Sequence, residues 1–126
     1  MRWGRIVGLA FALEAALFVT LLPLQALLSL RVWFVVIAIV CAFFSYIAGR
    51  VAARGLTSRG ALHGLLVGVI ATIIYLAICM LGPGGLLAAV AFYGASLYVA
   101  LNALKIAGCA VGASKSKRPI DVASAA

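Results

Sequence analysis

Two charged side chains of this 126-residue chain lie inside long apolar runs: Glu14 and Lys105. Glu14 sits about eight residues into its run, roughly 12 Å along a helix at 1.5 Å per residue. Lys105 sits about six residues from the end of its own, roughly 9 Å in. A charge at the centre of a bilayer costs on the order of 2.5–3.5 kcal/mol on insertion scales. Such a group must therefore be paired, neutralised or in contact with a water-filled cavity. Tyr98, Asn102, Lys105 and Cys109 follow i, i+4, i+7, i+11, so they share one helix face. Three chemistries fit. Glu14 and Lys105 can neutralise each other in a structural cluster completed by hydrogen bonds from Asn102 and Tyr98. The same residues can form a proton or ion site centred on Glu14. Alternatively, Lys105 snorkels to the surface and Glu14 carries a proton.

The remaining reactive types read more plainly. Cys41, Cys79 and Cys109 all lie in apolar runs, with no CxxC spacing and no adjacent His. They are expected as small buried side chains. No metal is expected, because structural zinc takes about four grouped ligands. His63 falls at the mouth of the third run as an interfacial polar group. Ser45, Tyr46 and Tyr75 are isolated and read as packing residues. The sequence has no nucleophile–base pair, phosphate loop or paired carboxylates, so neither an enzyme nor a cofactor is expected.

The elements that hold these residues follow from composition. The chain is 67% hydrophobic, against about 45–50% in soluble domains. Only twelve residues are charged, two of them acidic, too few to cover a soluble surface. Four runs approach the ~20 residues needed to cross a bilayer as helix. They cover about 6–28, 32–48, 61–81 and 86–111. The predicted fold is all-α: an integral membrane four-helix bundle of two antiparallel hairpins, because such short loops force neighbours to run antiparallel. Residues 1–111 form one domain, and 112–126 a disordered basic tail. Pro23 should kink the first span. Gly82 is the expected left-handed terminator of the third, and Ser58 its expected N-cap. Trp3 and Trp33, at opposite span ends, are expected as interface anchors.

Eight of the ten basic residues fall on one side of these spans: Arg2, Arg5, Arg50, Arg54, Arg59, Lys115, Lys117 and Arg118. Arg31 is alone on the other. By the positive-inside rule both termini are cytoplasmic. The first run, at about 23 residues, exceeds the 7–15 of a signal-peptide core, so an uncleaved span is expected. The net charge of +8 is spread over three membrane-flanking segments. It therefore argues for anionic lipid headgroups at the cytoplasmic face rather than nucleic acid.

Helices in lipid associate through small residues. Gly60, Gly64 and Gly68 recur at four-residue spacing in the third run, and Gly4 and Gly8 continue to Ala12 and Ala16 in the first. These stripes can pack the bundle or join a second copy or another membrane protein.

Ala48-Gly-Arg-Val-Ala-Ala-Arg54 and Leu62-His-Gly-Leu-Leu-Val-Gly68 resemble segments of small four-span bacterial inner-membrane proteins with no assigned activity. In architecture the chain is also similar to the small multidrug resistance transporters, with four spans and one acidic residue in the first, here Glu14. That resemblance implies exchange of protons and cationic solutes at Glu14. The third run lacks the Trp that such transporters stack on drugs, and Lys105 would repel a cation. The leading expectation is a non-catalytic scaffold or accessory subunit acting through helix contacts. The alternative is a small proton- or ion-coupled transporter using Glu14. A dry Glu14–Lys105 contact favours the first, and a polar cavity reaching Glu14 the second.

Overall fold

A computed structural model describes residues 1–56 and 58–116. The described chain is all helical: α1 Trp3–Leu27, α2 Leu30–Ala53, α3 Gly60–Leu81, α4 Gly85–Tyr93 and α5 Ala95–Ser114. Four of them, α1, α2, α3 and α5, are long and apolar enough to cross a membrane. Phe11, Val19, Leu22, Val35, Ile39, Phe43, Ile73, Met80 and Val99 are all exposed. An apolar girdle of this extent on every long helix suits hydrocarbon rather than water.

The sequence places a single fourth span over 86–111; the structure breaks it. Gly94 adopts φ 77° and ψ 144°, a backbone region essentially reserved for glycine. It ends the nine-residue α4, and α5 starts at the next residue. At 1.5 Å per residue α4 is only about 13 Å long and cannot cross. Helix α5 also runs three residues beyond the expected end of the span, so Gly112, Ala113 and Ser114 are helical rather than tail. Lys117, Arg118 and the residues after them lie outside the described residues.

The turns differ from expectation for local reasons. Gly82 is extended, at φ −76° and ψ 164°, because the following Pro83 disfavours helical backbone before it. The left-handed residues are instead Gly84 and Gly85. The N-cap of α3 is Arg59, itself left-handed at φ 57°, and Ser58 does not cap. Pro23 lies within α1, which continues to Leu27.

The helix ends gather consistently. Arg5 donates to the carbonyl oxygens of Arg54, at 2.7 Å, and of Val51. Ser116 Oγ donates to Arg50 O at 3.2 Å. The start of α1, the α2–α3 connection and the end of α5 therefore meet at one end of the molecule, with Arg2, Arg5, Arg50, Arg54, Arg59 and Lys115. We call this the basic end. Arg5 does more than mark topology, since a cation there bonds to carbonyls at the negative C-terminal end of α2.

Helix α5 packs on α2 and α3, and α1 also packs on α2 and α3, yet α1 and α5 make no backbone contact. They face each other across the interior. Next to the basic end the contacts of α5 are made by glycines. A Cβ on Gly49 or on Gly64 would collide with the Cys109 carbonyl, so α5 is held between α2 and α3 at that point. Gly68 faces Ile106 Cα, where a Cβ would lie at 2.7 Å. Gly112 meets the Tyr46 backbone, and Gly108 the Ser45 side chain. Small residues permit such close backbone approach in lipid.

Candidate functional site

Glu14 projects from the middle of α1 and Lys105 from α5, and each is about 95% or more buried. Their helices do not touch, so the long Lys side chain spans the gap. Its Nζ lies 2.5 Å from Glu14 Oε1 and 4.7 Å from the centre of the Tyr75 ring on α3. The two charges cancel, and the ring face adds a second favourable contact for the ammonium. Close geometry of this kind offsets the desolvation of both ions, whereas removing either partner strands the other.

The rest of the expected cluster is arranged differently. Asn102 turns its Nδ2 back to the Tyr98 carbonyl, at 2.9 Å, along its own helix. Tyr98 Oη is buried without a hydrogen-bond partner among the described residues. Neither side chain hydrogen-bonds to the ion pair. The spacing rule put Tyr98, Asn102, Lys105 and Cys109 on one face correctly. It does not say which way a short amide turns, and here the amide bonds back to the helix carbonyl one turn earlier.

Both residues do share a cavity with the pair. It measures about 230 Å³ and has Glu14, Lys105, Asn102 and Tyr98 in its wall. It leads away from the basic end, past Cys41, Tyr75 and Cys79, to Trp33, Gln25 and Tyr93. Leu17, Phe18, Leu21, Ile37, Ile78 and Leu101 supply an apolar lining. An engineered protein cavity of ~150 Å³ admits benzene, so this one is large enough for a small organic molecule.

Tyr75, Tyr93 and Tyr98 adjoin one another, with ring centroids 6.0 and 6.3 Å apart. Phe34 of α2 holds Phe92 and Tyr93 of α4 at 6.2 and 6.1 Å. The short α4, which has no buried residue of its own, therefore presents Tyr93 to the cavity from beyond the Gly94 break.

Sequence reasoning passes over several of these residues. Tyr75 reads as isolated, yet Thr72, Tyr75 and Cys79 recur at i, i+3, i+7, a polar stripe on an otherwise apolar helix. Trp33 is expected at the lipid interface but is 3% exposed, and its indole Nε1 has no partner among the described residues. Trp3, by contrast, is exposed. His63 is expected at the surface but is buried, with Nδ1 2.9 Å from Arg59 O and Nε2 unpartnered among the described residues.

The small-residue stripes divide. Gly64 and Gly68 are consumed against α5, and Gly60 lies more loosely beside Ala53 and Ala113. A Cβ at Gly4 or Gly8 would meet nothing within 4 Å, so the α1 stripe is not used among the described residues. Among the described residues no three His, Cys, Asp or Glu side chains gather as metal ligands. Comparison with protein-family models, curated proteins and solved structures finds no match to this chain.

Proposed function

We propose that this chain is a multi-pass protein of a bacterial inner membrane, a bundle of two antiparallel hairpins with both termini cytoplasmic. We propose further that it binds and passes a small solute through the cavity that ends on Glu14 and Lys105. The orientation rests on the basic end, where six described Lys and Arg residues gather against Arg31 at the other. The functional reading rests on one observation. The buried ion pair is not sealed in dry packing but forms part of the wall of a cavity of about 230 Å³. A purely structural pair has no need of that space, and ionisable groups inside a membrane mark solute or proton pathways when they border a cavity. The direct Lys105–Glu14 contact is what the scaffold reading expects, and the cavity is largely apolar; that a cavity reaches Glu14 at all is what supports the transporter reading. No catalytic step is assigned.

The test is solute flux in proteoliposomes holding the parent or Glu14→Gln. Proton-coupled flux that is present in the parent and lost or uncoupled in Glu14→Gln supports the reading. Unchanged coupling, or no flux in either, overturns it.

A second reading, a scaffold or accessory subunit, is favoured by the α1 stripe of Gly4, Gly8 and Ala12, which is exposed. Cysteine cross-linking from Gly8 in native membranes tests it: a specific adduct supports it, and none removes it.

A further inference from the structure

We propose that the cavity takes a small amphiphilic organic anion, a carboxylate with an apolar body, and that each anion enters with one proton. This rests on the cavity being a solute site, as proposed above.

The inference comes from the hydrogen-bonding groups left over. Trp33 Nε1 is a donor only, is buried, and has no partner among the described residues. Tyr98 Oη is buried and unpartnered in the same wall. Lys105 has three N–H donors, of which the one ion-pair contact engages one. Three side chains of one cavity thus offer unused donors, and its strongest acceptor, Glu14, is held by Lys105 through Oε1. A ligand that satisfies them brings acceptor oxygens.

A cationic ligand fits poorly, because Lys105 already occupies the cation's place, on Glu14 and over the Tyr75 ring. Its arrival would put two positive charges in one low-dielectric space. An anion instead exchanges with Glu14 for the Lys105 ammonium. If Glu14 stayed ionised, the cavity would hold an uncompensated negative charge in hydrocarbon, which is strongly disfavoured. Protonation of Glu14 removes it. The balance is one carboxylate and one proton in from water. The Glu14–Lys105 contact breaks, and a carboxylate–Lys105 contact and a neutral Glu14 carboxylic acid form. Net charge is zero before and after, and no redox step is involved.

The other titratable groups facing the pair are Cys41 on α2, Tyr75 and Cys79 on α3, Tyr93 on α4, and Tyr98 and Cys109 on α5. Thiols and phenols are ordinarily neutral at pH 7, so Glu14 is the group left to accept the proton. Leu17, Phe18, Leu21 and Ile78 line the space an apolar body would fill.

The experiment is calorimetric titration of the full chain in lipid nanodiscs with benzoate, benzamide and benzylamine. Buffers of different ionisation enthalpy count the protons taken up. Benzoate should bind with one proton, its affinity falling about tenfold per pH unit as linkage requires, and should outcompete benzamide and benzylamine. In Glu14→Gln benzoate binding should persist and lose its pH dependence. In Glu14→Gln/Lys105→Met, which restores neutrality and controls for folding, it should vanish.

Benzoate binding without proton uptake, or retained by the double variant, overturns the proposal. Preference for benzylamine or benzamide overturns the anion assignment while leaving the solute site standing. Binding of none of the three overturns both.

Discussion

The two ends of this molecule solve the same packing problem in opposite ways. Next to the basic end, glycines of α2, α3 and α5 bring backbones together, and Arg5 ties α1 to the C-terminus of α2. Toward the other end, large aromatic side chains hold the helices apart around a cavity, and the fourth crossing is broken at Gly94. The ion pair lies at the boundary. Lipid gives helices little reason to close a gap, since hydrocarbon and protein interior are equally apolar. A gap therefore persists where side chains are large, and close packing needs small residues placed face to face. The glycine-packed end is the scaffold, and the aromatic end is free to specialise.

Substitution at Gly49 or Gly112 should break this contrast most severely. A Cβ there collides with main-chain carbonyls of Cys109 or Tyr46, which cannot rotate away. Overpacking costs typically about 1–3 kcal/mol, but Gly49→Leu or Gly112→Leu drives a whole side chain into fixed main chain and should exceed about 5 kcal/mol. Thermal unfolding in detergent should show a clear loss. A comparable change at Gly85, where a Cβ meets nothing within 4 Å, should cost only the strain of its φ of 61°.

The ion pair should come next. Lys105→Met or Glu14→Gln alone strands a charge, and breaking a buried pair costs about 3–5 kcal/mol in soluble proteins. The double variant should recover most of that loss. Strong coupling in a double-mutant cycle of unfolding would establish the contact, and additive single effects would refute it.

Gly94 should separate the two ends by function rather than stability. An alanine cannot hold φ 77° and ψ 144° without about 1–3 kcal/mol of strain. The simplest relief is for α4 and α5 to merge into one straight helix. That would draw Tyr93 from the cavity wall and away from Phe34. Solute binding should weaken more than unfolding stability in Gly94→Ala. Equal binding by variant and parent would show that the break serves only connectivity.

Arg5→Ala should cost less, about 1 kcal/mol, because its hydrogen bonds lie near the surface where water replaces them.

The sequence discloses the parts of this fold that depend on averages and periods. Apolar run length gives four crossings, and the uneven distribution of Lys and Arg matches the end where the helix termini gather. The 3.6-residue period places Tyr98, Asn102 and Lys105 together, and charge balance offers a Lys105–Glu14 pair as one of three arrangements, the one the structure takes across two helices whose backbones do not meet. The cavity is not legible, because its existence depends on where three tyrosines and a tryptophan from four helices converge. Trp33 misleads for the same reason: its position along α2 suits an interface anchor, but the rotation of α2 turns it inward. The Gly94 break is equally hidden. A lone glycine in an apolar run is tolerated in a continuous helix, and nothing local says that this one takes positive φ.

The smallest expected effect tests whether the contrast within one chain is complete. Gly4 and Gly8 form the one small-residue stripe with no neighbour among the described residues. Gly64 and Gly68 carry the same spacing and are filled by α5. If α1 faces only lipid there, Gly4→Leu and Gly8→Leu should change monomer stability by less than about 0.5 kcal/mol, as surface positions do. Cross-linking yield and size on gentle extraction should also stay the same. If the stripe is occupied by a second copy or another membrane protein, the same substitutions should leave unfolding of the isolated chain unchanged but abolish the larger species. Leucine side chains at the contact would hold the backbones apart, as they would at Gly49. The glycine rule that builds the basic end would then extend beyond the chain, with α1 as its outward face.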